Sequence, residues 1–324
     1  MRALASPASL KGVLSAVEAA MALAAGLREA GADAEELPVA DGGEGTAEVI
    51  AAARAGEWRT AAVSDPLGRT VEARYMVLEE GGAVVEAAEA IGWRRLAPDE
   101  RDPLRASSRG LGELLLAAAE ATVGDLLVGL GDTATVDGGA GVLEVVGDRL
   151  RGRTVRAACD VRNSLLGERG AARAFGPQKG ATPEVVEELE LRLAAMEGLR
   201  PFAELPGAGA AGGIGAALAS LGAELVSGAE LVLELVGFRA ELAGAALVVT
   251  GEGTIDRSTF EGKAPGAVVR VCREGGVRCV LFAGRVSEAP GDVEVYELSG
   301  DPAQAADDLV ELGRSVSPGP AHRG

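Results

Sequence analysis

Apolar runs that stop abruptly at a glycine constrain this chain more than any other feature. "DLLVGLG" (125–131), "ALVVTGEG" (246–253) and "RCVLFAG" (278–284) read as strands buried on both faces, the kind found in parallel sheets covered by helices. The chain also begins in the matching order. "MRALAS" is a short strand, and Ser15 with Glu18 three residues on forms a capping box that opens a helix running to about Ala30. Val17, Met21, Ala24 and Leu27 make its apolar stripe, and Gly31 stops it. "AEELPVA" (34–40) is the next strand, and a helix follows from about Thr46. Strand–helix–strand–helix marks a doubly wound parallel sheet.

From "DPLGRT" (65–70) the texture changes. "VEARYMVLEEGGAVVEAAEA" predicts a hairpin about Glu-Glu-Gly-Gly, "RAACDVRN" a further strand, and "TPEVVEELELRLAAMEGL" a helix capped by Thr182, with Pro183 at its first position and Gly198 at its stop. The apolar strands then return. The expected architecture is α/β in two domains, 1–64 with 240–314 forming one doubly wound sheet and 65–239 a mixed α/β insertion, followed by a disordered tail over 315–324.

Composition removes several function classes. A net charge of −18 excludes nucleic acid and anionic membranes as partners, since both need basic patches. No stretch is long and apolar enough to span a bilayer or to act as a signal peptide, and three cysteines (Cys159, Cys272, Cys279) fit neither a metal motif nor a secreted disulfide framework. A cytoplasmic protein is expected. The sole histidine, His322, lies in the tail, which excludes Ser-His-Asp chemistry and histidine metal sites.

Lysine usage is more pointed. Only three of the 31 basic residues are lysine, and Lys11, Lys179 and Lys263 each touch a glycine. A compact ammonium in a tight turn suits phosphate binding better than Arg's planar fork; glycine-rich surface loops are the plain alternative.

Three segments share the form apolar strand, turn of Gly with Asp or Glu, then helix: "LPVADGGEGT", "LLVGLGDTATVDGGAG" and "LVVTGEGTIDRSTFEGKAPG". In an open α/β sheet such turns would meet at the carboxyl edge, where ligands bind. Carboxylates gathered there repel one another unless a cation or a hydroxyl-bearing ligand intervenes, and Mg²⁺ with phosphates fits. Lysines would then hold the anion, the layout of phosphoryl transfer. The competing reading is that each acid merely caps a helix.

Further along, Asp160 and Asn163 end a strand and precede Arg169, Arg173 and Lys179, a carboxylate beside an anion pocket or a solvated loop. Glu86 and Glu89 divide equally between core-edge structure and substrate contact. "GAGAAG" (207–212) matches the dinucleotide fingerprint but follows no buried strand, so it reads as a helix start able to receive phosphate. "FEGKA" lacks the first glycine and the final Ser/Thr of a Walker A loop.

Taken in order and spacing, "SLKG", "VADGGEGT", "DPLGR", "EAAEAIG", "TATVDGGAG", "ACDVRNSLLG", "FGPQKGATP", "PGAGAAGGIGAAL" and "VVTGEGTIDRSTFEGKAPGAV" resemble the bacterial type I glycerate kinases over about residues 1–310. The resemblance implies ATP-dependent phosphorylation of D-glycerate to 2-phosphoglycerate with Mg²⁺. It also implies a flavodoxin-like α/β domain carrying an inserted α/β domain, and small-molecule and nucleotide partners; it leaves a homodimer open. Combined with the chemistry above, it places Asp160, Lys11, Lys179 and Asp137 in catalysis, and Asp41, Gly42, Gly43, Glu44, Asn163 and Lys263 at the substrate. Gly212, Gly213, Gly251, Glu252, Gly253 and Asp256 fall to the nucleotide, and Asp41, Asp137 and Glu252 to the metal.

Four departures from the family pattern matter. Ala8 stands for an aspartate in P-D-S-F-K-G, and Asp132, Thr133 and Val136 stand for Gly, Ser and Asn in G-G-S-A-T-N-D-G-G-A-G. These changes keep two other functions in view: a kinase for another small hydroxy acid, and a catalytically silent homologue that binds an acid metabolite.

Overall fold

A computed structural model describes residues 1–288 and 291–316; His322 and most of the expected tail lie outside the described residues. The chain divides into two compact units, one formed by Met1–Asp41, Glu48–Arg54 and Ala229 onward, the other by Gly42–Ala47 and Ala55–Gly228.

The first unit opens with β1 (Arg2–Ala5), α1 (Ala16–Glu29) and β2 (Asp33–Glu36); α2 (Thr46–Ala53) follows, with its first turn assigned to the second unit. The capping box at Ser15 forms: Ser15 Oγ accepts from the Glu18 N–H, and the Glu18 carboxylate accepts from the Ser15 N–H at 2.9 Å. The buried face of α1 is Ala19, Ala20, Leu23, Ala24 and Leu27, whereas Met21 is 54% exposed. Ala24 and Leu27 of the expected stripe are buried, but Val17 is only half-buried and Met21 faces water, so the packed face is turned toward Ala19, Ala20 and Leu23 and is marked mainly by small residues.

The second unit runs β3 (Gly56–Ser64), β4 (Thr70–Leu78), β5 (Ala83–Glu86), α3 (Ala87–Ile91), α4 (Arg109–Ala121), β6 (Leu126–Gly129), α5 (Ala140–Val146), β7 (Val155–Cys159), α6 (Ala171–Phe175), α7 (Pro183–Ala194), α8 (Ala210–Ser220) and β8 (Glu224–Ser227). The first three strands are antiparallel and the rest parallel, in the order β3-β4-β5-β6-β7-β8. The expected hairpin is present as β4 and β5, with Met76 opposite Val84. Leu111, Leu114 and Leu115 of α4, Val142 and Val146 of α5, and Ile214 and Leu218 of α8 pack with Val85, Val128 and Ala157 of the sheet. Thr182 caps α7 as expected, but the helix ends at Ala194, and Gly198 lies in a following 3₁₀ turn rather than at the stop.

The chain then returns through α9 (Gly228–Leu235), α10 (Phe238–Leu242), β9 (Leu247–Ile255), α11 (Ala264–Gly275), β10 (Arg278–Val286), β11 (Glu294–Glu297) and α12 (Ala305–Val316). The first unit's sheet is wholly parallel, in the order β11-β10-β9-β1-β2. Alternate residues of β1 and β9 face opposite sides. Ala3, Ala5 and Val249 join Leu23 and Leu27 of α1 and Leu309 and Leu312 of α12, while Leu4 and Val248 join Val232 of α9 and Val268 and Cys272 of α11. This is the doubly wound fold, with a mixed α/β unit inserted.

Two readings of the acidic turns change. β6, which leads into "GDTATVDGG", belongs to the second sheet, so the three glycine–acid segments do not share one sheet. And Gly251–Glu252–Gly253 lies inside β9, with Gly251 and Glu252 paired with Phe282 and Ala283 of β10, and is not a turn. Gly251 is required by packing, because a Cβ there would collide with the Phe282 carbonyl and ring.

Candidate active site

At the carboxyl edge of the first sheet, the segment after β1 continues alongside β9. Ser6 N–H donates to the Val249 carbonyl at 2.8 Å and Ala8 N–H to that of Gly251 at 2.9 Å. Lys11 follows on an exposed turn. Glu252 projects from β9 with its carboxylate 14% exposed, accepting from Thr259 Oγ1 at 2.7 Å and from Lys263 Nζ at 3.3 Å. Burial raises its pKa above the ordinary glutamate value, and the charge of Asp41 pushes the same way; Thr259 and Lys263 oppose both. Asp41 and Glu252 are thus two acids that feel each other. Asp256 is placed differently: it caps the 3₁₀ turn Arg257–Phe260, accepting from the Ser258 N–H at 2.8 Å and its hydroxyl at 2.5 Å.

The second sheet's carboxyl edge carries the turn Gly42–Ala47. Gly131 N–H donates to the Gly42 carbonyl at 3.3 Å, and a Cβ on Gly42 would press on Ala158 at 3.0 Å. Glu86, at the end of β5 and 6% exposed, accepts from Ala47 N–H at 2.6 Å and Gly45 N–H at 3.2 Å. The N–H groups that would otherwise offer a phosphate site at the start of α2 are taken by this internal carboxylate. Glu44 pairs with Arg94 at 3.0 Å, and its N–H donates to Asp132 Oδ2 at 3.4 Å. Asp132 has φ 57°, the left-handed region where the family pattern has glycine and which aspartate tolerates better than most residues.

Asp137 accepts four hydrogen bonds: from Ser108 N–H at 2.8 Å, Ser108 Oγ at 2.7 Å, Gly139 N–H at 3.0 Å and Gly141 N–H at 3.3 Å. Lys179, 7% exposed, donates from Nζ to the Thr135 carbonyl at 2.8 Å and to Thr133 Oγ1 at 3.1 Å. Burial pulls its pKa down to about 7, against the opposing charges of Asp137 and Asp132. Asp160 is exposed just beyond β7, and Asn163 donates to the Arg169 carbonyl at 2.6 Å. Gly212 and Gly213 are buried at φ 72° and 98° against Thr135–Gly138, and Gly213 N–H donates to the Gly209 carbonyl at 3.3 Å.

The predicted residues therefore fall into two sets. Lys11, Asp41, Glu252, Asp256 and Lys263 belong to the first unit; Gly42–Glu44, Asp137, Asp160, Asn163, Lys179 and Gly212–Gly213 belong to the second. Sequence reasoning missed Thr259 and Ser108 as partners of the acids, and left the job of Glu86 open. One signal was available: α2 starts after three glycines with no side-chain cap of its own, so its N–H groups need an acceptor from elsewhere.

No helix among the described residues is long and apolar enough to cross a membrane, and their three cysteines are free thiols. The model of the glycerate kinase family matches residues 3–153 and 144–301. The chain is 40% identical over 296 residues to the glycerate 2-kinase of Escherichia coli K12, covering 79% of this chain and 78% of that one. It is 37% identical over 338 residues to a glycerate kinase of Halalkalibacterium halodurans, covering 92% and 88%. A crystal structure assigned to a glycerate kinase 2 of Salmonella typhimurium LT2 superposes with a TM-score of 0.85 at 36% identity, over 98% of this chain and 97% of that one. The chain belongs to the glycerate kinase family, whose members are phosphotransferases that act on an alcohol group.

Proposed function

We propose that this protein transfers a phosphoryl group from ATP to the 2-hydroxyl of D-glycerate, with Mg²⁺, giving 2-phosphoglycerate. One observation carries the reading: its 40% identity over 296 residues to a relative that is a glycerate 2-kinase. The residues of the first edge suit a magnesium–nucleotide complex. Among the described residues no three acidic, histidine or cysteine side chains converge as a ready-made metal cage. Mg²⁺ in phosphoryl-transfer sites is held by only one or two carboxylates plus phosphate oxygens, and Asp41 and Glu252 are two acids whose mutual repulsion a cation would relieve. Bound there, the ion would neutralise charge on the phosphates and fix their geometry.

The chain's own residues take the other tasks. Lys11 and Lys263 hold phosphate oxygens, Lys263 from the N-cap position of α11. Asp160, exposed at its strand end, accepts the proton of the attacking hydroxyl. Asn163 and the Gly42–Glu44 backbone orient glycerate. Asp137, within the loop between β6 and α5 and held by Ser108, Gly139 and Gly141, and Lys179, which donates to Thr133 and Thr135 of that loop, act as positioning residues, and buried Gly212 and Gly213 pack behind the loop. Three free thiols suit a reducing, cytoplasmic setting.

A coupled assay for D-glycerate-dependent ADP release, with the product's phosphorylated carbon read by NMR, tests the proposal. Absence of turnover at saturating Mg-ATP, or phosphate on the 3-position, would overturn it. A second reading, a kinase for another small hydroxy acid, draws on Ala8 and Val136, which are 9% and 1% exposed where the family pattern has aspartate and asparagine. A substrate panel in which another acid outperforms D-glycerate would favour it; binding without turnover would mark a silent homologue.

A further inference from the structure

β3 is the edge strand of the second sheet: β4 pairs with one side of it, and none of the described strands pairs with the other. Its ladder with β4 is unbroken from Gly56 opposite Leu78 to Ser64 opposite Thr70, and it contains no proline, no lysine and no bulge, the usual devices that protect an edge. Residues 56–60 are all exposed, and among them Trp58 is 39% exposed with the Arg74 guanidinium 4.9 Å from its ring centroid.

The direction of the backbone groups follows from the hydrogen bonds at the strand ends. Ser64 N–H donates to Glu113 Oε2 at 2.6 Å, and Leu78 N–H donates to the Gly82 carbonyl, so neither joins the β3–β4 ladder. Alternation along an antiparallel pair then turns the N–H and C=O groups of Gly56, Trp58, Thr60 and Ala62 outward. Glu113 covers the Ser64 end, which leaves Gly56–Thr60 as the open length.

These five residues are self-complementary in one register. With two copies antiparallel and Trp58 opposite Trp58, the outward groups of Trp58 meet their equals, and those of Gly56 meet Thr60, giving hydrogen-bonded pairs throughout. Glu57 then lies opposite Arg59 and Arg59 opposite Glu57, in the non-hydrogen-bonded positions where side chains approach closest. Within one chain these two already attract, Arg59 Nη2 lying 2.8 Å from Glu57 Oε2. Centring on Glu57 or Arg59 would oppose like charges, and centring on Thr60 would need the Ser64 N–H that Glu113 occupies.

We propose that β3 is a homodimer interface: two copies of this chain pair antiparallel through Gly56–Thr60, joining their second sheets into one continuous sheet across a two-fold axis. An interface of five residues a side is smaller than a standard stable one, so the association is concentration-dependent.

Sedimentation velocity on the full chain, from about 1 to 100 µM, tests it across the range expected of a small interface. The wild type shifts toward dimer as concentration rises. Glu57→Arg and Arg59→Glu each oppose like charges twice across the axis and weaken dimerisation about tenfold or more. The double variant Glu57→Arg/Arg59→Glu restores it. Thermal melting and kinase activity confirm that each variant is folded. A wild type that stays monomeric throughout, single reversals that dimerise normally, or a double variant that fails to recover would each overturn the proposal.

Discussion

At the carboxyl edge of the first sheet Glu252 is held by a hydroxyl and an ammonium, whereas at that of the second sheet Glu86 and Asp137 are held chiefly by backbone N–H groups. The sequence contexts are alike, each acid following an apolar run. The consequences differ. Backbone N–H groups fix the loop that supplies them. Glu252 is instead desolvated beside Asp41, an arrangement that disfavours its charge and suits an arriving cation. The partners of a carboxylate, more than its place in a motif, separate a scaffold acid from a ligand acid.

The comparison breaks first, if it breaks, at Glu252. Glu252→Gln keeps an acceptor for Thr259 and removes a charge that burial disfavours, so unfolding free energy holds or rises. The same change lowers kcat/KM by roughly 10²–10³ and raises the Mg²⁺ needed for half-maximal rate. Activity close to wild type at low Mg²⁺ would return Glu252 to the scaffold class. Asp137→Ala should show the opposite pattern. With four donors left in want of an acceptor it costs about 3 kcal/mol in urea unfolding, and Asp137→Asn recovers part of that. A loss below about 1 kcal/mol would contradict the structural role.

Lys179 sharpens the contrast through pH. Its folded pKa, about 7, lies below the ordinary 10.5, so between those values the unfolded chain holds the extra proton. Its contribution is therefore complete above 10.5 and lost as pH falls through about 7. Wild-type stability should rise from pH 7 to 9 by up to about 1.4 kcal/mol per unit relative to Lys179→Met, which lacks the titrating group. Parallel profiles for the two proteins would show the ammonium to be better hydrated than its burial implies. The smallest effect belongs to Asp132→Gly: relief of the left-handed backbone offsets the looser unfolded chain, leaving a change within about 0.5 kcal/mol. A larger loss would mean that the Asp132 carboxylate holds more than the Glu44 N–H.

Much of the fold was legible because local signals agreed with it. The Ser15 box, the Thr182 cap and the apolar strands β6, β9 and β10 each carry their own physical cause. β3 was missed because "GEWRTAAVS" is exposed over most of its length, and an edge strand open to water need not alternate cleanly. Gly251 misled: glycine after an apolar run usually signals a turn, yet here its small size admits Phe282 across the ladder, a tertiary cause absent from the local sequence. The site residues were found by type, but their partners were not. That Glu86 lies under α2, and Ser108 beside Asp137, depends on which strands become neighbours, and spacing along one chain cannot express that.

Glu86 has a kinetic meaning as well as a structural one. Glu86 already immobilises residues 45–47, so if glycerate docks on Gly42–Glu44 as proposed, it meets a receptor whose shape precedes it, and little of the roughly 1–2 kcal/mol per residue of backbone freedom remains to be surrendered at the encounter. Recognition at this turn should proceed with fast, nearly temperature-insensitive association, and a neutral residue in place of Glu86 would expose that advantage as a slower on-rate.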